Sequence, residues 1–114
     1  KTRVYCAGAL AKLYTEMGGE SLYFGKPHKP IYDLAYERLK EINLKTSKEK
    51  ILCIVDGMLT DVKGAINANL DSLFITGGLA ATETNTTTQP NKSNLKRFLQ
   101  NQNYNPTYNI GHLR

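Results

Sequence analysis

The feature that most limits the fold is an apolar run, Ile51-Leu52-Cys53-Ile54-Val55, which shows no alternation and ends directly on Asp56. Bounded by the polar stretch Lys45 to Lys50 on one side and Asp56-Gly57 on the other, it reads as a strand covered on both faces. A parallel sheet flanked by helices provides that cover. Beyond it, Thr60 or Asp61 opens a helix carrying Val62, Ala65, Ile66 and Leu70, and Ser72-Leu73-Phe74-Ile75-Thr76 forms a second strand ended by Gly77 and Gly78. Strand, helix and strand with short links make the right-handed crossover unit of doubly wound folds. The expected class is therefore α/β, a partial doubly wound, Rossmann-like parallel sheet flanked by helices.

Upstream, Leu10, Ala11, Tyr14 and Met17 recur at helical spacing and predict a helix from about Ala7 to Met17, stopped by Gly18 and Gly19. Residues 20 to 24 read as a short strand. A second helix begins near Pro30, whose missing amide suits a first turn, and carries Ile31, Leu34, Ala35, Leu39 and Ile42 as its stripe. Downstream, residues 82 to 94 are rich in Thr, Asn and Gln and offer little to offset the entropy of ordering, so they read as a loop or linker. A last helix is expected from Asn94 to Asn101, with Tyr108, Ile110 and Leu113 packing back from the tail.

At 114 residues the chain has room for one domain or part of a larger one. Fifteen Lys and Arg against ten Asp and Glu give a net charge of +5, spread along the chain, which aids solubility and does not point to nucleic acid. Cys6 and Cys53 sit in apolar surroundings without metal-site spacing and read as free buried thiols of a reducing compartment. No apolar run is of membrane-spanning length and no signal peptide is evident, so the expected location is the cytoplasm, where the sequons at Asn85 and Asn91 carry no meaning. His28 and His112 share no familiar metal spacing with the cysteines. A dinucleotide fingerprint is absent.

The chemistry is expected at the strand ends, because ligands of open α/β sheets bind beyond the carboxyl ends of their strands. Asp56 follows the central strand and Asp61 lies five residues on, at the start of a helix. Two such carboxylates suit a hard cation such as Mg²⁺, which takes one or two of them with water and substrate phosphate. Gly57 allows the close turn between them. The plainer alternative is that Asp61 caps the helix and Asp56 is a solvated loop carboxylate. Gly25-Lys26-Pro27-His28 follows the strand at 20 to 24, which places the mobile cation of Lys26 at a second strand end.

Gly25-Lys26-Pro27-His28-Lys29-Pro30-Ile31-Tyr32, followed by Val55-Asp56-Gly57-Met58-Leu59-Thr60-Asp61-Val62-Lys63-Gly64-Ala65, resembles the second half of a haloacid dehalogenase-like hydrolase. More narrowly it is similar to the class II, type A branch, with its nitrophenyl-phosphatase-like and nucleotide-phosphatase-like members. The resemblance spans residues 6 to 80. It implies that Lys26 is the lysine that offsets charge on nucleophile and phosphoryl group. It also implies that Asp56 and Asp61 hold or orient Mg²⁺, with Gly25 and Gly57 close to the phosphate. The implied chemistry is phosphoryl transfer to an aspartate followed by hydrolysis of the acyl phosphate, with a small phosphorylated substrate.

The family's Asp-x-Asp nucleophile motif and its Ser/Thr phosphate motif are missing upstream of Lys26. Reading Asp56 to Thr60 as the tail of the nucleophile motif would put the nucleophile on Ile54, which has no nucleophilic atom. Val55 and Gly57 also depart from the family pattern, and the β-branched Val55 would either narrow the approach to the metal or shift the strand end. The expected division is then residues 1 to 20 as the end of a cap domain and 21 to 80 as the C-terminal part of the core. Residues 81 to 93 are a polar loop or linker, and 94 to 114 a C-terminal helix and tail. Such a chain is expected to be inactive alone, since it lacks the nucleophile, and to self-associate or pair with the missing half, with neither nucleic acid nor membrane as partner. Two other classes compete: a non-catalytic interaction or structural fragment that keeps the α/β core, and a phosphoacceptor domain, which lacks its acidic residues after the first strand.

Overall fold

A computed structural model describes residues 5–43 and 45–113. Its centre is a three-stranded parallel sheet in the order β1 (Leu52–Val55), β2 (Asp71–Ile75), β3 (Tyr108–Ile110). The register pairs Val55 with Phe74 and Phe74 with Asn109. Helix α1 (Ala7–Glu16) and helix α2 (Lys29–Ile42) precede the sheet; a π-helical turn (Met58–Val62) running into α3 (Lys63–Asn67) links β1 to β2, and α4 (Lys92–Gln102) links β2 to β3. The α/β class and the parallel crossover unit are as the apolar runs predict.

Local chemistry explains most element ends. Gly18 adopts φ +93° after α1, where its amide and that of Gly19 return to Thr15 and Tyr14 carbonyls. Pro30 stands in the first turn of α2. Asn91 caps α4 by accepting from the Ser93 and Asn94 amides, so that helix starts at Lys92, two residues before the expected Asn94. The third helical segment opens at Met58, earlier than the expected Thr60 or Asp61. The strand expected at 20 to 24 is not formed, because no neighbouring strand among the described residues supplies a ladder.

The core is Met58, Val62, Phe74 and Ala80, joined by Val55, Leu95, Phe98, Leu99 and Tyr104. Phe74 points to one side of the sheet and meets the turn after β1 (Met58, Val62) and α4 there, with its ring stacked on Phe98 at 6.1 Å. Both linking segments therefore cover the same face. On the other face Leu52 and Ile54 stay 45% and 54% exposed, so the two-sided cover expected for β1 is half supplied by the described residues. The stripe of α1 is likewise open at Leu10, Tyr14 and Met17, with Ala11 half-buried.

The Thr-rich segment lacks regular structure up to Asn91, yet it has groups that order it. Thr76 and Thr84 are fully buried; the Thr84 hydroxyl donates to the Ala80 carbonyl at 2.7 Å and meets that of Thr86 at 2.7 Å, which donates to Thr76 at 2.9 Å. Gln89 and the Thr87 carbonyl then bond Gly111 and His112 just past β3. The tail thus packs back as a strand through Ile110, while Tyr108 and Leu113 remain exposed, contrary to expectation. Both cysteines are free, but Cys6 is exposed and Cys53 only half-buried, because α1 brings no cover over Cys6.

Replacing Thr84 by Val should lower stability by about 1–3 kcal/mol, since the Ala80 carbonyl and Thr86 hydroxyl lose their buried partner. Urea unfolding should show this loss against a Thr82→Val control on the exposed side of the same segment.

Candidate active site

The carboxyl end of β1 delivers Asp56 and Gly57 to one corner of the sheet. The Gly57 carbonyl accepts from both the Asp61 and Val62 amides at 2.9 Å, which opens the turn to π-helical width. That turn swings the Asp61 side chain back over the strand end, where Oδ2 accepts from the Gly57 amide at 3.2 Å. This contact resembles the reciprocal arrangement of a capping box. Asp61 is 7% exposed, and its Oδ1 lies 2.6 Å from the Lys26 ammonium. Oδ1 takes no aligned hydrogen bond, so this contact is carried by charge rather than by a directed N–H. The plainer alternative and the site reading thus meet in one residue: Asp61 caps its helix with one oxygen and holds Lys26 with the other.

Lys26 reaches that point from the loop before α2. The His28 amide donates to the Gly25 carbonyl at 3.0 Å, and the His28 ring stacks on Tyr23 at 4.9 Å, so His28 serves the turn that aims Lys26. The lysine side chain is still 55% exposed, which limits the pair's contribution to stability to about 1 kcal/mol or less. Gly25, expected near the phosphate, faces open space, and nothing around it requires glycine.

Gly57 has an ordinary φ of −100°, so what a side chain would meet there is crowding: a Cβ would come within 2.6 Å of the Thr60 hydroxyl, which would have to turn away, and 3.1 Å of Asp61 Oδ2. Asp56 is half-buried and has no ion-pair partner within 4 Å among the described residues. It lies against Gly78, where a Cβ would sit 2.5 Å from its Oδ2. Gly78 is a site residue that pattern reading placed only at a strand end; the doubled glycine after β2 was its signal. Val55 turns its side chain into the core with Phe74, so it does not narrow the approach to the acids.

A cleft of about 310 Å³ opens beside Asp56 and Gly57, walled by Met58, Leu59, Leu79 and Phe98. Among the described residues no three acids, histidines or cysteines cluster to hold a metal. The two carboxylates nonetheless fit a hard divalent cation, which needs only one or two protein oxygens. Burial raises the Cys53 thiol and the Tyr32 phenol above their ordinary values of 9.0 and 10.0, and the Asp61 charge adds to both.

The HAD-hydrolase-like family model matches residues 23–108, which include Lys26, Asp56, Asp61 and Gly78. The chain belongs to the haloacid dehalogenase-like hydrolase family. A solved hydrolase of this haloacid dehalogenase-like family from Brucella suis 1330 is 37% identical over 96% of the chain, with a TM-score of 0.69. A possible sugar phosphatase of the same superfamily from Cytophaga hutchinsonii ATCC 33406 is 21% identical over 90% of the chain, with a TM-score of 0.65, and shows the shared fold. The chain spans 38% and 32% of the lengths of these two proteins. No curated protein is similar enough to match it. Among the described residues of this haloacid dehalogenase-like chain, no helix is long and apolar enough to cross a membrane.

Asp61→Ala, which removes the acceptor for the Gly57 amide, should cost about 0.5–2 kcal/mol. Asp61→Asn keeps an oxygen there and should cost less in the same denaturation experiment. A raised thiol means the folded state keeps its proton longer than the unfolded chain, so stability is full below the ordinary thiol value and falls as pH climbs through the raised one. Urea midpoints measured from about pH 8 to 10 should therefore decline, and Cys53→Ala should flatten that decline.

Proposed function

We propose that these residues form the C-terminal part of the core of a Mg²⁺-dependent phosphomonoesterase that works through an aspartyl phosphate. The single observation that carries this reading is the Lys26 ammonium held 2.6 Å from a buried Asp61 carboxylate at the strand end that also presents Asp56. Both Asp61 oxygens are engaged, one by Gly57 and one by Lys26. Asp61 therefore orients the lysine and the metal shell, and Asp56, free of ion pairs among the described residues, is the direct ligand. Bound there, Mg²⁺ would offset negative charge on the transferring phosphoryl group. Lys26 places a mobile cation beside the same group and, being half-exposed, can follow it. Gly57 and Gly78 keep side chains away from the acids, so that a small phosphorylated substrate can approach.

The 114 residues contain no Asp-x-Asp pair. The nucleophile is thus assigned to an N-terminal half of the hydrolase, which would accept the phosphoryl group from the ester oxygen and lose it to water. The open side of the sheet supports the same pairing: Leu52 and Ile54 are exposed, and β1 has an unpaired outer edge among the described residues. On this reading 1–20 end the cap and 21–80 belong to the core, a polar loop or linker follows from 81, and α4, which begins at Lys92, and the tail close the chain. A cytoplasmic location goes with the two free cysteines.

Calorimetric titration with MgCl₂ should show binding that Asp56→Asn weakens by about tenfold or more, the loss of one charged ligand. The chain alone should not hydrolyse p-nitrophenyl phosphate; mixed with the complementary N-terminal segment of such a hydrolase, it should gain Mg²⁺-dependent turnover that Lys26→Ala abolishes. Binding indifferent to Asp56→Asn would remove the metal assignment. Turnover by the chain alone, lost in the same variant, would place a nucleophile within these residues.

A further inference from the structure

The Lys26–Asp61 pair joins two separate stretches of chain, the loop before α2 and the helical turn after β1, and a half-exposed ion pair is too weak to hold them in register. A second contact lies further along both stretches. Gly64, one turn after Asp61, is buried, and the hydroxyl end of Tyr32 rests on it from α2. A Cβ at Gly64 would fall on the Tyr32 hydroxyl and lie 2.8 Å from its ring Cζ and 3.0 Å from Cε2. The whole ring, and not a flexible tip, would have to move. Glycine is a poor helix former beside alanine, so its place in α3 makes physical sense only where a methyl does not fit.

We propose that Tyr32 is a positioning residue for the Lys26–Asp61 pair: seated on the bare backbone of Gly64, its ring sets the spacing between α2 and the helix that carries Asp61, and so keeps the ammonium at the carboxylate. The turn from Gly25 to His28 and the Tyr23–His28 stack brace the lysine loop only against itself. Tyr32 links the start of α2 to the Asp61 element through its contact with Gly64. The functional meaning rests on the phosphatase reading above. The mechanical coupling stands on the geometry alone.

Two local readouts on the full chain test it. The Gly57 amide, bonded to Asp61 Oδ2, reports the carboxylate through its hydrogen exchange, with the Thr76 amide, bonded to the Ile110 carbonyl at 2.9 Å, as a reference for the sheet. The rate of Lys26 acetylation by acetic anhydride, read by mass spectrometry against exposed Lys96, reports the ammonium. Gly64→Ala and Tyr32→Leu should each speed Gly57 exchange by about tenfold and Lys26 acetylation by about threefold, with Thr76 and Lys96 unchanged. Tyr32→Phe, which keeps the ring, should stay near the parent chain, and the double variant should be no worse than Tyr32→Leu because the added methyl then meets no ring. Should Gly64→Ala not fold, the contrast between Tyr32→Leu and Tyr32→Phe decides alone. Unchanged Gly57 and Lys26 signals in Tyr32→Leu, or equal acceleration of Thr76, would overturn the proposal. If the contrast holds while Lys26→Ala leaves turnover of the completed hydrolase intact, the phosphatase reading fails and the positioning contact remains.

Discussion

A buried carboxylate with two obligations organises this part of the molecule. Asp61 cannot leave its Oδ2 unpaired without cost, and the Gly57 amide at the end of β1 meets it; its Oδ1 carries charge into a pocket where Lys26 is the cation at hand. The first contact ties the strand end to the widened turn, and the second meets the loop before α2 at the same corner. Remove the carboxylate and the turn loses its cap while the lysine loses its aim. The chemistry proposed for the site therefore depends on the same atoms that hold the local fold.

The rest of the architecture serves that corner from one side. Phe74 gathers the turn after β1 and α4 onto a single face of the sheet, so Asp56 and Asp61 stand on a packed support with Val55 beneath them. The opposite face and the outer edge of β1 are bare among the described residues. This asymmetry accords with a chain that spans about a third of the two solved relatives.

Much of this was legible from residue types. The unbroken run at 51 to 55 declared a strand and the doubled glycines declared the ends of elements, while the Lys26, Asp56 and Asp61 motifs declared the family, later met by the match over 23–108. Other features depend on distant partners. A strand exists only where a neighbour completes its ladder, so residues 20 to 24 failed as a strand, and Tyr108–Ile110, short and polar in part, succeeded because β2 was adjacent. Thr84 looked like loop polarity until burial made its hydroxyl a structural bond. Cys6 looked buried by its neighbours in sequence and is exposed in space.

The sequence by itself determined the α/β class and the order of β1, α3 and β2, and its motifs at Lys26, Asp56 and Asp61 pointed to the family, because hydrophobic period, turn chemistry and motif spacing are local properties. Only the tertiary structure decided that Asp61 bonds Gly57 and Lys26 at once, that Gly78 makes room for Asp56, and that Tyr32 rests on Gly64. Apart from the four-residue reach from Gly57 to Asp61, those are contacts between residues far apart in the chain, and their geometry follows from packing, which no local pattern encodes.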